Sequence, residues 1–193
     1  MIFLKTSAII IPVFFAVLVF PAVLFSSCIR HSSEPAKRYS QYFSIQGYFR
    51  KEASILARLN PVLVKTISVN GKLQTKRLDS INWINELSLF TASDINKPAW
   101  IGKYRIDSTA NNITYTALDS NLKVRRIEIK KNQFSALHPI SVVKINIRVK
   151  NFLYSLNEEL FYYTDSLYTI KRRQRINLLG SKFYEITGQI KRR

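Results

Sequence analysis

The sequence predicts an α+β fold: a long, curved antiparallel β-meander of about seven to nine strands with two N-terminal helices, after a cleaved signal segment. Three observations carry this. From residue 101 to the C-terminus, polarity alternates with a period of two, the spacing of a half-buried strand. The breaks in that pattern are short and rich in Asn, Asp, Ser and Gly, so neighbouring strands run antiparallel rather than through helical crossovers. Residues 37–60, by contrast, set apolar side chains at three- and four-residue steps, the helical period. The chain has 193 residues, room for one domain.

Residues 1–28 read MIFLKTSAIIIPVFFAVLVFPAVLFSSC, with one charge, Lys5, ahead of an uncharged apolar stretch. A short positive region, an apolar block and a small-residue exit describe a secretory signal. An uncleaved membrane helix is the rival, weakened by Pro12 and Pro21 inside the block. Leu24-Phe25-Ser26-Ser27-Cys28 resembles the lipobox of bacterial lipoproteins, in which the cysteine is acylated and becomes the mature N-terminus. The usual leucine position, three before the cysteine, holds Phe25 here. The resemblance implies a signal peptide over 1–27 and an acylated Cys28; the polar run Arg30 to Arg38 reads as a tether, so that 28–38 are lipidated cysteine and tether, and the remaining length, 39–193, is expected to form a single domain. Ile29 follows the cysteine, and by the same resemblance this favours the outer membrane, facing the periplasm. Acyl chains bury methylenes at about 0.8 kcal/mol each, so more than one chain makes a stable anchor.

Tyr42, Ile45, Phe49, Leu56 and Leu59 form the apolar face of the first predicted helix, which ends at Asn60-Pro61. Two β-branched runs, about 63–69 and 72–78, flank Asn70-Gly71, a strong hairpin signal because both turn positions need positive φ. Asp79 or Ser80 then caps a second helix over about 81–91, with Trp83, Leu87 and Phe90 on its core face. Pro98 stops helix beyond Lys97. The strands are expected at about 101–107, 112–118, 122–131, 141–154, 159–165, 167–178 and 182–191, with a bulge near Arg125-Arg126. In this scheme Glu158-Glu159 falls on a hairpin tip and is solvated turn material.

Thirty Lys and Arg face twelve Asp and Glu, a net charge of +18, or +17 without the leader and its Lys5. Lys171, Arg173 and Arg175 alternate onto one side of a strand, Arg172 onto the other, and Lys191, Arg192 and Arg193 close the chain. An exported protein meets anionic lipid and envelope polymers rather than nucleic acid, so these six residues are the candidate contacts with an anionic surface. The plain alternative is a solvated face that maintains solubility. One Cys and two His, His31 and His138, leave no material for a metal cage, no cofactor motif is present, and the scattered carboxylates pair into no general acid and base. The expectation is therefore a binding or structural protein, with a carrier of hydrophobic ligands under a curved sheet as the alternative, and not an enzyme.

Residues 83–90, WINELSLF, followed by Asp94-Ile95-Asn96-Lys97-Pro98, resemble a block of uncharacterised small lipoproteins of Gram-negative bacteria. That resemblance implies location and no chemistry. Trp83, Phe90, Asp94, Asn96 and Pro98 read as structural residues: two core side chains, a polar cap and a fixed path into the first strand.

Overall fold

The computed structural model describes residues 41–133, 135 and 138–193; the predicted signal segment, Cys28, the tether and positions 37–40 of the first predicted helix lie outside them. Contacts divide the chain after Arg38, and Tyr39–Arg193 carries every described element. Its ladders and core cluster lie wholly within that span, which is what an independently folding domain requires.

Nine antiparallel strands form one open, curved sheet in the order β2-β1-β9-β8-β7-β6-β5-β4-β3. They are β1 (Val62–Val69), β2 (Lys72–Leu78), β3 (Tyr104–Ser108), β4 (Asn112–Ala117), β5 (Val124–Lys131), β6 (Ile140–Lys150), β7 (Tyr154–Tyr163), β8 (Leu167–Ile176) and β9 (Gly180–Lys191). The β1–β2 hairpin sits at one edge. The chain then crosses to the opposite edge, and β3 to β9 return as an uninterrupted meander until β9 pairs with β1. Asn70 and Gly71 both take positive φ, 49° and 86°, as the hairpin requires. Edge strand β2 is exposed at nearly every position, and Lys72, Lys76 and Arg77 protect it against further pairing.

Helix α1 (Ile45–Leu59) starts later than its periodicity suggests, because Ser44 caps it by accepting from Gly47 N–H at 3.0 Å. Asp94 accepts from Gln46 N–H at 2.7 Å in the same first turn, where a carboxylate also complements the helix dipole. Asn96 accepts from Tyr42 N–H and donates to Tyr42 and Phe43 carbonyls. The distinctive Asp-Ile-Asn segment therefore clamps the start of α1, while the other Asp94 oxygen, Oδ1, accepts from Asn96 N–H at 2.7 Å and caps the turn that follows α3. Ile45, Phe49, Glu52, Ala53 and Leu56 are buried, whereas Leu59, predicted on that face, is exposed. Asn60 ends the helix in the left-handed region before Pro61.

The second predicted helix is two short ones, α2 (Trp83–Glu86) and α3 (Ser88–Thr91), interrupted at Leu87. Asn82, not Asp79 or Ser80, supplies the cap, accepting from Asn85 N–H at 3.1 Å. Pro98 opens a 3₁₀ turn, Pro98–Trp100, that leads to β3. The bulge expected near Arg125-Arg126 is present as a register shift between Val124 and Arg126.

One boundary differs with consequence. The β6–β7 turn lies at 151–153, not at Asn157-Glu158, because Asn151 Oδ1 accepts from Leu153 and Tyr154 N–H groups. Glu158 is thereby placed in mid-strand and faces inward, 4% exposed.

Trp83 of α2 and Phe90 of α3 are both buried in the main core cluster, while Ile84, next to Trp83 on α2, is 69% exposed. Phe90→Ala is expected to cost about 3–5 kcal/mol in urea unfolding and Ile84→Ala under about 0.5 kcal/mol. Equal losses would contradict this orientation of α2 and α3.

Candidate functional site: the inner face of the sheet

The strand register arranges the inner face in rows. One row runs Ile129, Val143, Tyr162, Tyr168, Gly188, Lys65; the next runs Ile127, Ile145, Leu160, Ile170, Ile186, Ile67. The three helices fill the first row. Phe49 of α1 stacks on Phe90 of α3 at 4.6 Å between centroids and meets Tyr162 edge-on at 5.0 Å; Phe90 meets Tyr168 edge-on at 6.4 Å. The Tyr168 ring occupies the space above Gly188 where any Cβ would sit. Both tyrosine hydroxyls are satisfied by acids on the helices. Tyr162 donates to Glu52 at 3.0 Å, and Tyr168 donates to Glu86, which also takes Lys65 Nζ at 2.7 Å. Burial, reinforced by the acidic partner, raises both hydroxyls far above the ordinary tyrosine range.

Cover by the core thins away from these helices. The next row holds Ile147, Glu158, Arg172, Tyr184 and Val69, and beyond it lie Val149, Leu156, Gln174 and Lys182, then Tyr154 and Ile176. Ile67 and Val69 are exposed, and Val149, Leu156, Tyr154, Ile176 and Tyr184 are half-buried. The result is an apolar strip continuous with the core on its helix side.

Glu158 and Arg172 stand in the floor of this strip as a cross-strand pair. Arg172 Nη2 and Nε both reach Glu158 Oε1, at 2.6 and 2.7 Å. The carboxylate side chain is 4% exposed and the arginine 37%. Burying such a pair costs desolvation that its attraction only roughly offsets, so it is poor evidence for stability. Chemically it sets guanidinium donors, partly open to solvent, among the aliphatic and aromatic side chains of the strip, with Gln174 and Lys182 as the polar groups of the next row. Strand alternation carried the signal, since Arg172 follows inward Ile170 by two and Glu158 precedes inward Leu160 by two. The misplaced turn hid it.

At the end of the sheet where α1 stops, His138 Nε2 lies 3.0 Å from Asp165 Oδ2, joining the loop before β6 to the β7–β8 turn. Tyr48 and Thr164 hydroxyls hydrogen-bond alongside at 2.9 Å. Burial raises the Glu52 carboxyl above its ordinary 4.5, opposed by the Tyr162 hydrogen bond. Sequence spacing gave no hint of this cluster, because its members come from three separate segments. Among the described residues, no group of three or more His, Cys, Asp and Glu is arranged to hold a metal ion.

The basic residues separate into two places. Lys171, Arg173 and Arg175 lie exposed on the outer face of β8, where Lys171 meets Glu185 at 3.4 Å. β8 and β9 pair antiparallel as expected, but in the interior of the sheet rather than at an edge. Lys191 sits ten residues along β9 from the position opposite Arg175, about 33 Å away at strand rise. Lys191, Arg192 and Arg193 therefore belong to the other end, where Arg193 donates to the Asp79 carbonyl.

Removing either partner of the inward pair is expected to have unequal effects. Arg172→Met strands a buried carboxylate and costs about 3–5 kcal/mol. Glu158→Gln leaves an arginine able to turn toward water and costs about 1–2 kcal/mol. Replacing both by Leu and Met restores most of the loss, as chemical denaturation of the three variants checks.

Glu52 predicts a pH dependence of the opposite sign to that of an ordinary paired carboxylate. Its folded-state pKa is raised, so its contribution is full below the unfolded value and lost as pH rises through the folded one. Glu52→Gln keeps an acceptor for Tyr162 and is expected to gain stability relative to wild type as pH climbs above about 4.5. Melting curves across pH check it, and a constant difference contradicts it.

No protein-family model, no curated protein and no solved structure matches this chain.

Proposed function

We propose that the protein is a lipid-anchored binding protein of the cell envelope that holds an apolar or amphiphilic chain along the open half of its inner sheet face. In this reading Cys28 is acylated and residues 1–27 are removed. The domain faces the periplasm, most simply from the outer membrane, and acts by binding rather than by catalysis. The observation that carries the reading is the strip of half-buried aliphatic and aromatic side chains around Arg172. Contiguous apolar surface beyond the core marks a binding region, and a few placed polar groups orient the ligand. The filled half supplies the rigid wall, since its rings are locked by packing and by hydrogen bonds to glutamates. An acyl chain would lie along Ile67, Val69, Leu156 and Tyr184, with an anionic head within reach of the Arg172 guanidinium. The alternative is an envelope scaffold, for which the helix-filled core beneath α1 is the supporting observation.

Two measurements test this. Mass spectrometry of lipid extracted from purified domain Tyr39–Arg193 is expected to recover fatty acid or phospholipid, and Val69→Asp with Leu156→Asp is expected to reduce it at least tenfold. Lipid-free protein, or equal recovery from the variant, contradicts the ligand. Intact-mass analysis of the full chain is expected to show an N-terminus at Cys28 with added acyl mass. A mass that retains Leu24 and its predecessors contradicts the anchor.

A further inference from the structure

Exposed apolar side chains concentrate at one end of the sheet, away from the His138–Asp165 end. The β6–β7 turn presents Phe152 at 88% and Leu153 at 66% exposure, and the β8–β9 turn presents Leu178 at 105% and Leu179 at 78%. The two turns are latched together. Asn177 N–H donates to the Leu153 carbonyl at 3.0 Å, and its side-chain amide donates to the Phe152 carbonyl. Four large apolar side chains thus form a single platform held out in solvent. Leu178 also has φ of 73°, a left-handed conformation that leucine adopts only at a steric cost. A leucine both strained and fully exposed breaks two local rules with no gain in packing, which marks a functional rather than a structural choice.

Charge surrounds the platform. Arg148, Lys150, Arg173, Arg175 and Lys182 are all exposed in the strand segments next to these turns, on both faces of the sheet. Among the described residues none of the five has a carboxylate at ion-pair distance. Apolar tips ringed by lysine and arginine match an interfacial membrane contact, in which the tips enter the headgroup–acyl boundary and the cations meet anionic headgroups. The point where the chain enters the domain lies at the same end: Gln41 accepts from Gly102 N–H, just before β3, whose first residue Tyr104 pairs with Ala117 at the end of β4. The thirteen residue-to-residue steps from Cys28 to Gln41 span at most about 45 Å, ample for this end to reach a bilayer.

We infer that this end is a membrane-docking surface: Phe152, Leu153, Leu178 and Leu179 insert into an anionic phospholipid bilayer, and the surrounding cations hold them there. The inference goes beyond the ligand reading and does not depend on it. It also replaces the C-terminal tail, at the far end, with residues of β6 and the two turns as the partners of Arg173 and Arg175. In this orientation the open strip, which ends at Tyr154 and Ile176 beside the same turns, meets the bilayer at that end.

The test uses Tyr39–Arg193, which lacks Cys28 and so cannot be held by an acyl chain. In flotation it is expected to rise with phosphatidylglycerol-containing vesicles and to bind pure phosphatidylcholine at least tenfold more weakly, with salt reducing the difference. A variant with all four platform residues changed to Ser is expected to lose at least tenfold in binding with an unchanged melting profile. Should that variant fail to fold, Leu178→Cys and Ser166→Cys, labelled singly with a fluorophore on this cysteine-free unit, replace it. Quenching by spin-labelled lipid is expected at position 178 and not at 166, on the opposite end. Undiminished binding of the four-Ser variant, or quenching at 166 alone, overturns the inference. So does a wild-type domain that fails to float and instead forms dimers through the platform. None of these outcomes bears on lipid recovered from the vesicle-free domain, so the two readings fail separately.

Discussion

The position of Phe49 governs the rest of the molecule. Its ring stacks on Phe90 and abuts Tyr162, so one side chain joins α1, α3 and the middle of the sheet. The polypeptide must pass from β2 at one edge to β3 at the other, and the only described route crosses the inner face through α2 and α3. That crossing gains its apolar contacts by meeting α1. Asp94 and Asn96, just beyond α3, then fasten the first turn of α1 and the residues before it. Helix start, crossover and aromatic packing form one cooperative unit, and that unit fills half of the inner face. Contact across the β1–β9 ladder, more than a hundred residues apart in sequence, joins the first hairpin to the end of the meander.

Three glutamates on the inner side mark a gradient from the filled half to the open one. Glu52 is buried against Tyr162, Glu86 takes Tyr168 and Lys65, and Glu158 takes a partly exposed Arg172. Each satisfies a polar group that would otherwise be orphaned in apolar surroundings. The first two rigidify the wall. The third stands where cover by the core ends, so its arginine is partly open to solvent on the inner face.

Much of this fold was legible because local patterns agreed with the final packing. Asn70-Gly71, the strict alternation of Val143, Ile145, Ile147 and Val149, and the irregularity at Arg125 each have a local cause that tertiary contacts do not override. Buried Trp83 and Phe90 followed from helical spacing, although the helix itself breaks at Leu87. The site was harder to read. Phe152 and Leu153 look like strand residues, so the turn they occupy carried no signal of its own beyond Asn151, and Glu158 was displaced from the core to a loop. The His138–Asp165 and Tyr162–Glu52 contacts join residues 27 and 110 positions apart. No spacing rule reaches that far. Charge was visible as an excess, but its division between two ends of the sheet depends on register alone.

The central claim is that the inner face is divided into a sealed half and a receptive half. Methyl-labelled isoleucine spectra of the domain, recorded while a spin-labelled fatty acid is added, test it most directly. The account predicts selective broadening of Ile67, Ile176 and Ile186, with Ile45 and Ile95 unaffected beneath the helices. Broadening of exposed Ile106 at the β3 edge to the same extent as Ile67, or of no methyl at all, would contradict it.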